Sequence, residues 1–232
     1  MTKLISGARF LAAFASMTRN PNQLDRVFRL IDGIDANDDE GLLDEIFSRP
    51  DFGPVASGDI PPLSLRPPAL RRLPAGSLGR ELISFLDERG LDPESLKRQE
   101  APQTAFDRIR VHLQRSHDLW HVLTGFGTDV ASELGLQAFY GAQFDSPAAM
   151  AIITAGFLNG LLFEKRDISR RLEAVALGWQ MGKQAKSFVG VDWTSWLDKP
   201  LEEVRAHFAV DPAQVENVGA LEKGTTRIRA AA

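Results

Sequence analysis

Between Ser146 and Phe163 the chain runs eighteen residues without a charged side chain. Ser146-Pro147 suits the cap and first position of a helix, and Glu164-Lys165-Arg166-Asp167 closes the run with mixed charge. Length alone makes this a borderline membrane span, which needs about 20 apolar residues. Pro147, Thr154, Asn159 and three small residues argue against a span, so the segment is expected as a helix buried in a protein core. Gly156 and Gly160, four apart, would let a neighbouring helix approach closely. A helix apolar on all sides can also line a long hydrophobic cavity.

The rest of the chain supplies helices to pack around it. Leu4, Phe10, Leu11 and Phe14 make one apolar stripe, and Leu24, Val27, Phe28 and Ile31 make another after Asn20-Pro21. A short helix is expected from Gly41 to Phe47. Further helices are expected over 77–90, 103–124, 128–144, 167–188 and 200–208. On the helix over 167–188, Leu172, Val175, Ala176 and Trp179 should face inward, with Gly178, Gly182 and Ala185 forming a small-residue face. No alternating strand pattern of useful length occurs, so the fold is expected to be all-α, a single helical domain. Its parts are an N-terminal helical segment over 1–50 that packs on the core, a proline-rich connector over 51–76, a helical core over 77–210, and a flexible tail over 211–232. More than half of the chain's 13 prolines fall in or next to that connector.

The chemistry is expected in the stretch from Arg115 to Glu133. His117 and His121 are four apart, which on a helix means about 40° around the axis and about 6 Å along it. Both imidazoles can then reach one divalent ion, and Asp118 stands beside the first. Glu133 lies twelve residues past His121, about 18 Å further along an unbroken helix and too far for a ligand bond. Gly125 and Gly127 fall between them, so a glycine break with a second helix folding back could bring Glu133 to the same ion. Phe106, Ile109, Leu113 and Trp120 share one face of the first helix, with His117 and His121 on its edge. Arg110 and Gln114 lie on the same line, about two turns and one turn earlier. Burying such a row without partners is costly, and an ion plus an anionic ligand would satisfy it. His112 points about 140° away from His117 and is not expected as a ligand.

Composition narrows the function classes. A net charge of −4 with no basic stripe interleaved with aromatics argues against a nucleic-acid binder. The absence of cysteine removes disulfides and thiolate metal sites. No apolar run with a cleavage site opens the chain, and a cytoplasmic setting is the default.

His117-Asp118-x-x-His121 followed by Glu133 resembles the metal motif of the ubiquinone (coenzyme Q) biosynthesis protein four family. Three further blocks agree in order: Leu73-Pro-Ala-Gly-Ser-Leu-Gly79 before the motif, His121-Val-Leu-Thr-Gly-Phe-Gly-Thr-Asp129 within it, and Trp179-x-x-Gly182-x-x-Ala185-Lys186 with Trp196-Leu-Asp-Lys-Pro-Leu-Glu-Glu-Val-Arg205 after it. The resemblance covers roughly residues 63 to 210. Two departures are Ser132, where the family often has glycine, and His112-Leu113-Gln114-Arg115, where it is usually rich in tyrosine and arginine.

The resemblance implies an all-helical protein that holds a polyprenylated aromatic lipid, its isoprenoid tail in an apolar tunnel and its headgroup near the metal. It implies oxidative decarboxylation at C1 of a polyprenylated 4-hydroxybenzoate derivative, as a 4-hydroxy-3-methoxy-5-polyprenylbenzoate decarboxylase-type lyase. The ion would be divalent, zinc or iron, with no organic cofactor, held by His117, Asp118, His121 and Glu133. The setting would be a membrane surface shared with other quinone-biosynthesis enzymes: the inner face of the plasma membrane in a bacterium, or the matrix side of the mitochondrial inner membrane in a eukaryote. A homodimer is left open. Arg110 and Gln114 would orient the headgroup, and on geometric grounds Asp129 would support the site or carry a proton. A non-catalytic prenyl-lipid scaffold with a structural metal is the competing reading. A metal phosphohydrolase is weaker, because such sites normally draw a further histidine from a distant helix and His207 is the only one not already placed.

Overall fold

The computed structural model describes residues 2–21, 24–35, 48–91 and 102–215. Among the described residues all regular elements are helices, as expected of an all-α chain, and the β-type pairing they contain is an isolated bridge between Ser77 and Pro200. In order the α-helices are α1 (Thr2–Arg19), α2 (Leu24–Asp35), α3 (Gly53–Ser57), α4 (Pro67–Leu70), α5 (Leu78–Arg89), α6 (Ala105–Thr124), α7 (Val130–Phe144), α8 (Pro147–Leu162), α9 (Ile168–Gln184) and α10 (Leu201–Phe208), with short 3-10 turns at Pro50–Phe52, Lys165–Asp167 and Trp193–Trp196. The short helix expected over 41–47 and the tail from residue 216 onward lie outside the described residues. Within the proline-rich stretch, α3 and α4 each have a proline in the first two positions, where the missing N–H is not needed.

The chain divides into two compact units. One comprises Met1–Ile46, Gly125–Gln184 and Pro212–Ala232, and the other Phe47–Thr124 and Ala185–Asp211. In the first unit Met17, Leu30, Leu134, Ile152 and Ala155 form a buried cluster, with Phe10, Phe14 and Val27 packed against it. The N-terminal helices α1 and α2 therefore close on α8. Leu11, expected in the same stripe as Phe10 and Phe14, is 65% exposed.

Two expectations in this unit need correction. The apolar side chains Leu172, Ala176 and Trp179 do not face inward on α9; Leu172 is 56% and Trp179 42% exposed. The buried positions are instead Arg171, Ala174, Gly178, Met181 and Gly182. The reason is the closeness of α7. A Cβ on Gly178 would stand 1.8 Å from the Gly135 carbonyl oxygen, and one on Gly182 would stand 2.8 Å from that of Phe139. Two backbones can approach this closely only where side chains are missing, so the small-residue face wins the interface. The uncharged helix α8 is also buried along one side only, through Ala149, Ile152, Ala155, Gly156, Asn159 and Gly160. Met150, Leu158, Leu161, Leu162 and Phe163 remain exposed. Among the described residues no helix is long and apolar enough to cross a membrane.

The polar atoms of that buried side are matched. Arg171 donates to the Gly156 carbonyl at 2.5 Å and the Asn159 side-chain oxygen at 2.9 Å, and pairs with Asp167 at 2.8 Å. Asn159 in turn donates to the Thr18 carbonyl at 2.8 Å. A buried cation held by a carboxylate and two oxygens is tolerable where a bare one is not.

In the second unit α5 and α6 contribute Leu82, Ile83, Leu86, Ile109, Leu119 and Trp120 to the core. An aromatic cluster continues it: Phe188 meets Trp120, Trp193 and Phe208 edge-on at 5.2–5.3 Å. Ser77 gives α5 no side-chain cap; the first amides of α5 find other acceptors, Leu78 donating to Lys199 and Gly79 to Leu197, both at 2.8 Å. Arg205 on α10 serves the far end of α6, donating to the Val122 carbonyl at 2.8 Å and the Leu123 carbonyl at 3.1 Å.

Candidate metal centre

The helix α6 begins where Thr104 and Asp107 exchange hydrogen bonds, the Thr104 amide to the Asp107 carboxylate at 2.9 Å and the Asp107 amide to the Thr104 hydroxyl at 3.0 Å. Twenty residues of regular helix follow. That regularity sets His117 one turn before His121, with the ring centroids 4.7 Å apart and the planes nearly perpendicular at 86°. Their Nε2 atoms are 3.2 Å apart. His121 is buried and His117 half-buried.

Gly125 ends this run in the left-handed region at φ +81°. Asp129 then caps α7, accepting from the Ala131 amide at 3.1 Å and the Ser132 amide at 3.3 Å. Glu133 sits in the first turn of α7, its own amide bonded to the Asp129 carbonyl at 2.9 Å.

His117, His121 and Glu133 form a group in which one ligand atom from each lies within 4.8 Å of the others. The set fits a divalent ion. Two ligands about 2.1 Å from a tetrahedral ion stand roughly 3.4 Å apart, close to the observed separation of the two Nε2 atoms. Two imidazoles with one carboxylate also form a donor set that zinc and ferrous iron both accept. An ion would neutralise the Glu133 carboxylate as well as occupy both nitrogen lone pairs.

The other expected residues are placed differently. Asp118 follows His117 directly but is not part of the three-membered group. Burial holds its carboxyl above the usual carboxylate value, against the opposing pull of His117. Arg110 and Gln114 are half-buried on α6, about two turns and one turn before His117 respectively. Asp129 is engaged elsewhere: besides the cap, its carboxylate accepts from the Ser132 hydroxyl at 2.6 Å and pairs with Arg170. Burial works to raise its carboxyl, but the Ser132 bonds and the Arg170 charge prevail and hold it below the usual value. His112 is buried away from the group, and burial drops its imidazole to about 4, with Asp192 opposing.

Two contacts around the histidines have no counterpart in the motif. Phe85 on α5 stacks on the His121 ring, with centroids 5.5 Å apart and planes 23° from parallel. The Arg89 guanidinium covers the same Phe85 ring, 3.8 Å from its centroid. The i, i+4 spacing of Phe85 and Arg89 was visible in the sequence, but nothing there links α5 to His121.

The family model for "Coenzyme Q (ubiquinone) biosynthesis protein Coq4" matches residues 59–214. A mitochondrial ubiquinone biosynthesis protein of this kind from Yarrowia lipolytica is 29% identical over 148 residues, 61% of this chain and 54% of that protein. One from Neurospora crassa is 27% identical over 154 residues, 64% of this chain and 42% of that protein. The chain thus spans about half the length of these curated relatives. A crystal structure from Nostoc punctiforme, described as a candidate ubiquinone biosynthesis protein, superposes with a TM-score of 0.75 over 89% of this chain and 96% of that one. At 22% identity it speaks for the fold. With the family model covering two thirds of its length and the metal motif intact, the chain belongs to the coenzyme Q (ubiquinone) biosynthesis protein Coq4 family.

Proposed function

We propose that this chain serves coenzyme Q biosynthesis as a metal-dependent enzyme acting on a polyprenylated 4-hydroxybenzoate-type precursor. In the reaction the C1 carboxylate leaves as carbon dioxide and a hydroxyl takes its place, with oxygen as oxidant. The supporting observation is the number of side chains in the group. His117, His121 and Glu133 supply three ligands, and catalytic ions characteristically keep an open position beyond three protein ligands, whereas structural ions are closed by four. When bound, the ion supplies a Lewis-acid centre for a substrate carboxylate or ring oxygen.

The remaining work falls to the chain's own residues. Arg110 and Gln114 stand on the same side of α6 as the histidines, where a guanidinium and an amide can orient an anionic headgroup. Asp118, next to His117 and outside the group, offers a carboxyl for proton transfer. The prenyl tail requires an apolar channel, and delivery of so insoluble a substrate calls for work at a membrane surface beside the neighbouring enzymes of the route.

The test uses purified, metal-loaded protein with a polyprenylated 4-hydroxybenzoate and oxygen, read by mass spectrometry. Product lacking the carboxylate and carrying a new hydroxyl is expected. His121→Ala should lose the ion and turnover together while helical content stays. Turnover by a variant with an empty site contradicts the enzyme reading. Lipid binding without turnover by the loaded protein leaves a carrier.

A further inference from the structure

A helix-borne histidine has two free side-chain torsions, and an i, i+4 pair converges on one point only when both rings are held. The partner that holds a ligand histidine is usually a hydrogen-bond acceptor on its second nitrogen. For His121 the structure also offers a ring contact. The Phe85 ring lies nearly parallel to the imidazole, 23° off and 5.5 Å between centroids. It is itself fixed from two directions. Phe85 sits on α5 between the buried Leu82 and Leu86, and Arg89, one turn later, caps its ring at 3.8 Å while donating to the Phe85 carbonyl at 3.1 Å. The result is a stack of guanidinium, phenyl and imidazole running from the exposed end of α5 to a buried ligand atom.

We propose that Phe85 is a positioning residue for His121, its ring fixing the imidazole plane so that Nε2 points to the place it shares with the His117 Nε2. This rests on the metal-site reading and names a determinant of that site outside the motif. Only an aromatic ring can do this work. It presents a flat face to the imidazole, and the electron-rich face also favours the positive charge an imidazole acquires on binding a cation. A leucine would fill much of the volume yet leave the ring free to tilt.

Two measurements test it. The first is titration of the metal-free protein with cobalt(II), following affinity and the visible absorption band. Phe85→Leu should bind roughly three- to tenfold more weakly, the worth of an aromatic stack, with a shifted or broadened band. Phe85→Tyr, which keeps the face, should restore both. Ile83→Val, a buried aliphatic position on the same helix, serves as the control for stability loss alone. The second is the NMR signal of the His121 ring in the metal-free protein. It should lie upfield under the Phe85 ring and move to an ordinary, averaged position in Phe85→Leu. Wild-type affinity and band in Phe85→Leu, an equal loss in Ile83→Val, or an unmoved His121 signal overturns the proposal. Failure of the wild type to bind cobalt(II) strikes the metal reading instead, and the His121 signal then decides the positioning claim alone.

Discussion

A buried imidazole with an unpartnered nitrogen is expensive to charge, and His112 is one. It is 2% exposed, and its Nε2 has no hydrogen-bond partner among the described residues. Burial sets its folded value at about 4, whereas in the unfolded chain it titrates near 6.5. The unfolded state therefore takes up the proton first as pH falls. Stability is fully present above about 6.5 and is lost progressively down to about 4, by at most about 3 kcal/mol. Urea unfolding at pH 7 and pH 5 should show this loss in the wild type, and His112→Leu should reduce the difference between the two pH values. Equal pH dependence in both proteins would mean that His112 is hydrated or already paired. The same residue-scale logic separates His112 from His117 and His121: all three lie on one helix, but the group that could hold an ion contains only the latter two.

At the scale of elements, two contacts decide how the helices are held. The first is the close approach of α7 and α9 within one unit, where a Cβ on Gly178 would meet the Gly135 carbonyl oxygen at 1.8 Å. Gly178→Ala gains helix propensity of about 1 kcal/mol but must push the helices apart, and overpacking of this kind costs about 1–3 kcal/mol or more. Thermal unfolding should show a net loss; a rise in Tm would show that the helices are not in backbone contact. The second is the Arg205 guanidinium on the carbonyls of Val122 and Leu123, directly after His121. Arg205→Leu should leave those helix-end acceptors unsatisfied, costing roughly 1–3 kcal/mol. Amide exchange should then speed up in the last turn of α6 more than in its first. Uniform exchange along α6 would show that its end is held by something else.

At the scale of the whole molecule, the parts of the fold that were legible are those written in local periodicity. The helices α5 to α8 and the pair His117 and His121 follow from spacing along one element, because i, i+4 neighbours meet on any helix. Gly125 marked the break ahead of Glu133 for the same local reason. What was not legible depends on which faces meet. On α9 the sequence carries an apolar stripe through Leu172 and Trp179 and a small-residue stripe through Gly178 and Gly182, and periodicity ranks the apolar one as inward. Only the approach of α7 selects the other. Phe85 was invisible as a partner of His121 because 36 positions separate them and no pattern joins α5 to α6 at that point. Asp118 was expected as a ligand from its place beside His117; the three-membered group is His117, His121 and Glu133. The central claim is that His117, His121 and Glu133 together hold one divalent ion. The direct measurement is metal content and affinity of the purified full chain beside Glu133→Gln, which keeps the shape and removes the charge. About one ion per chain is expected in the wild type, with affinity at least tenfold lower in Glu133→Gln and helical circular dichroism unchanged. An ion bound as tightly by Glu133→Gln as by the wild type would contradict the account.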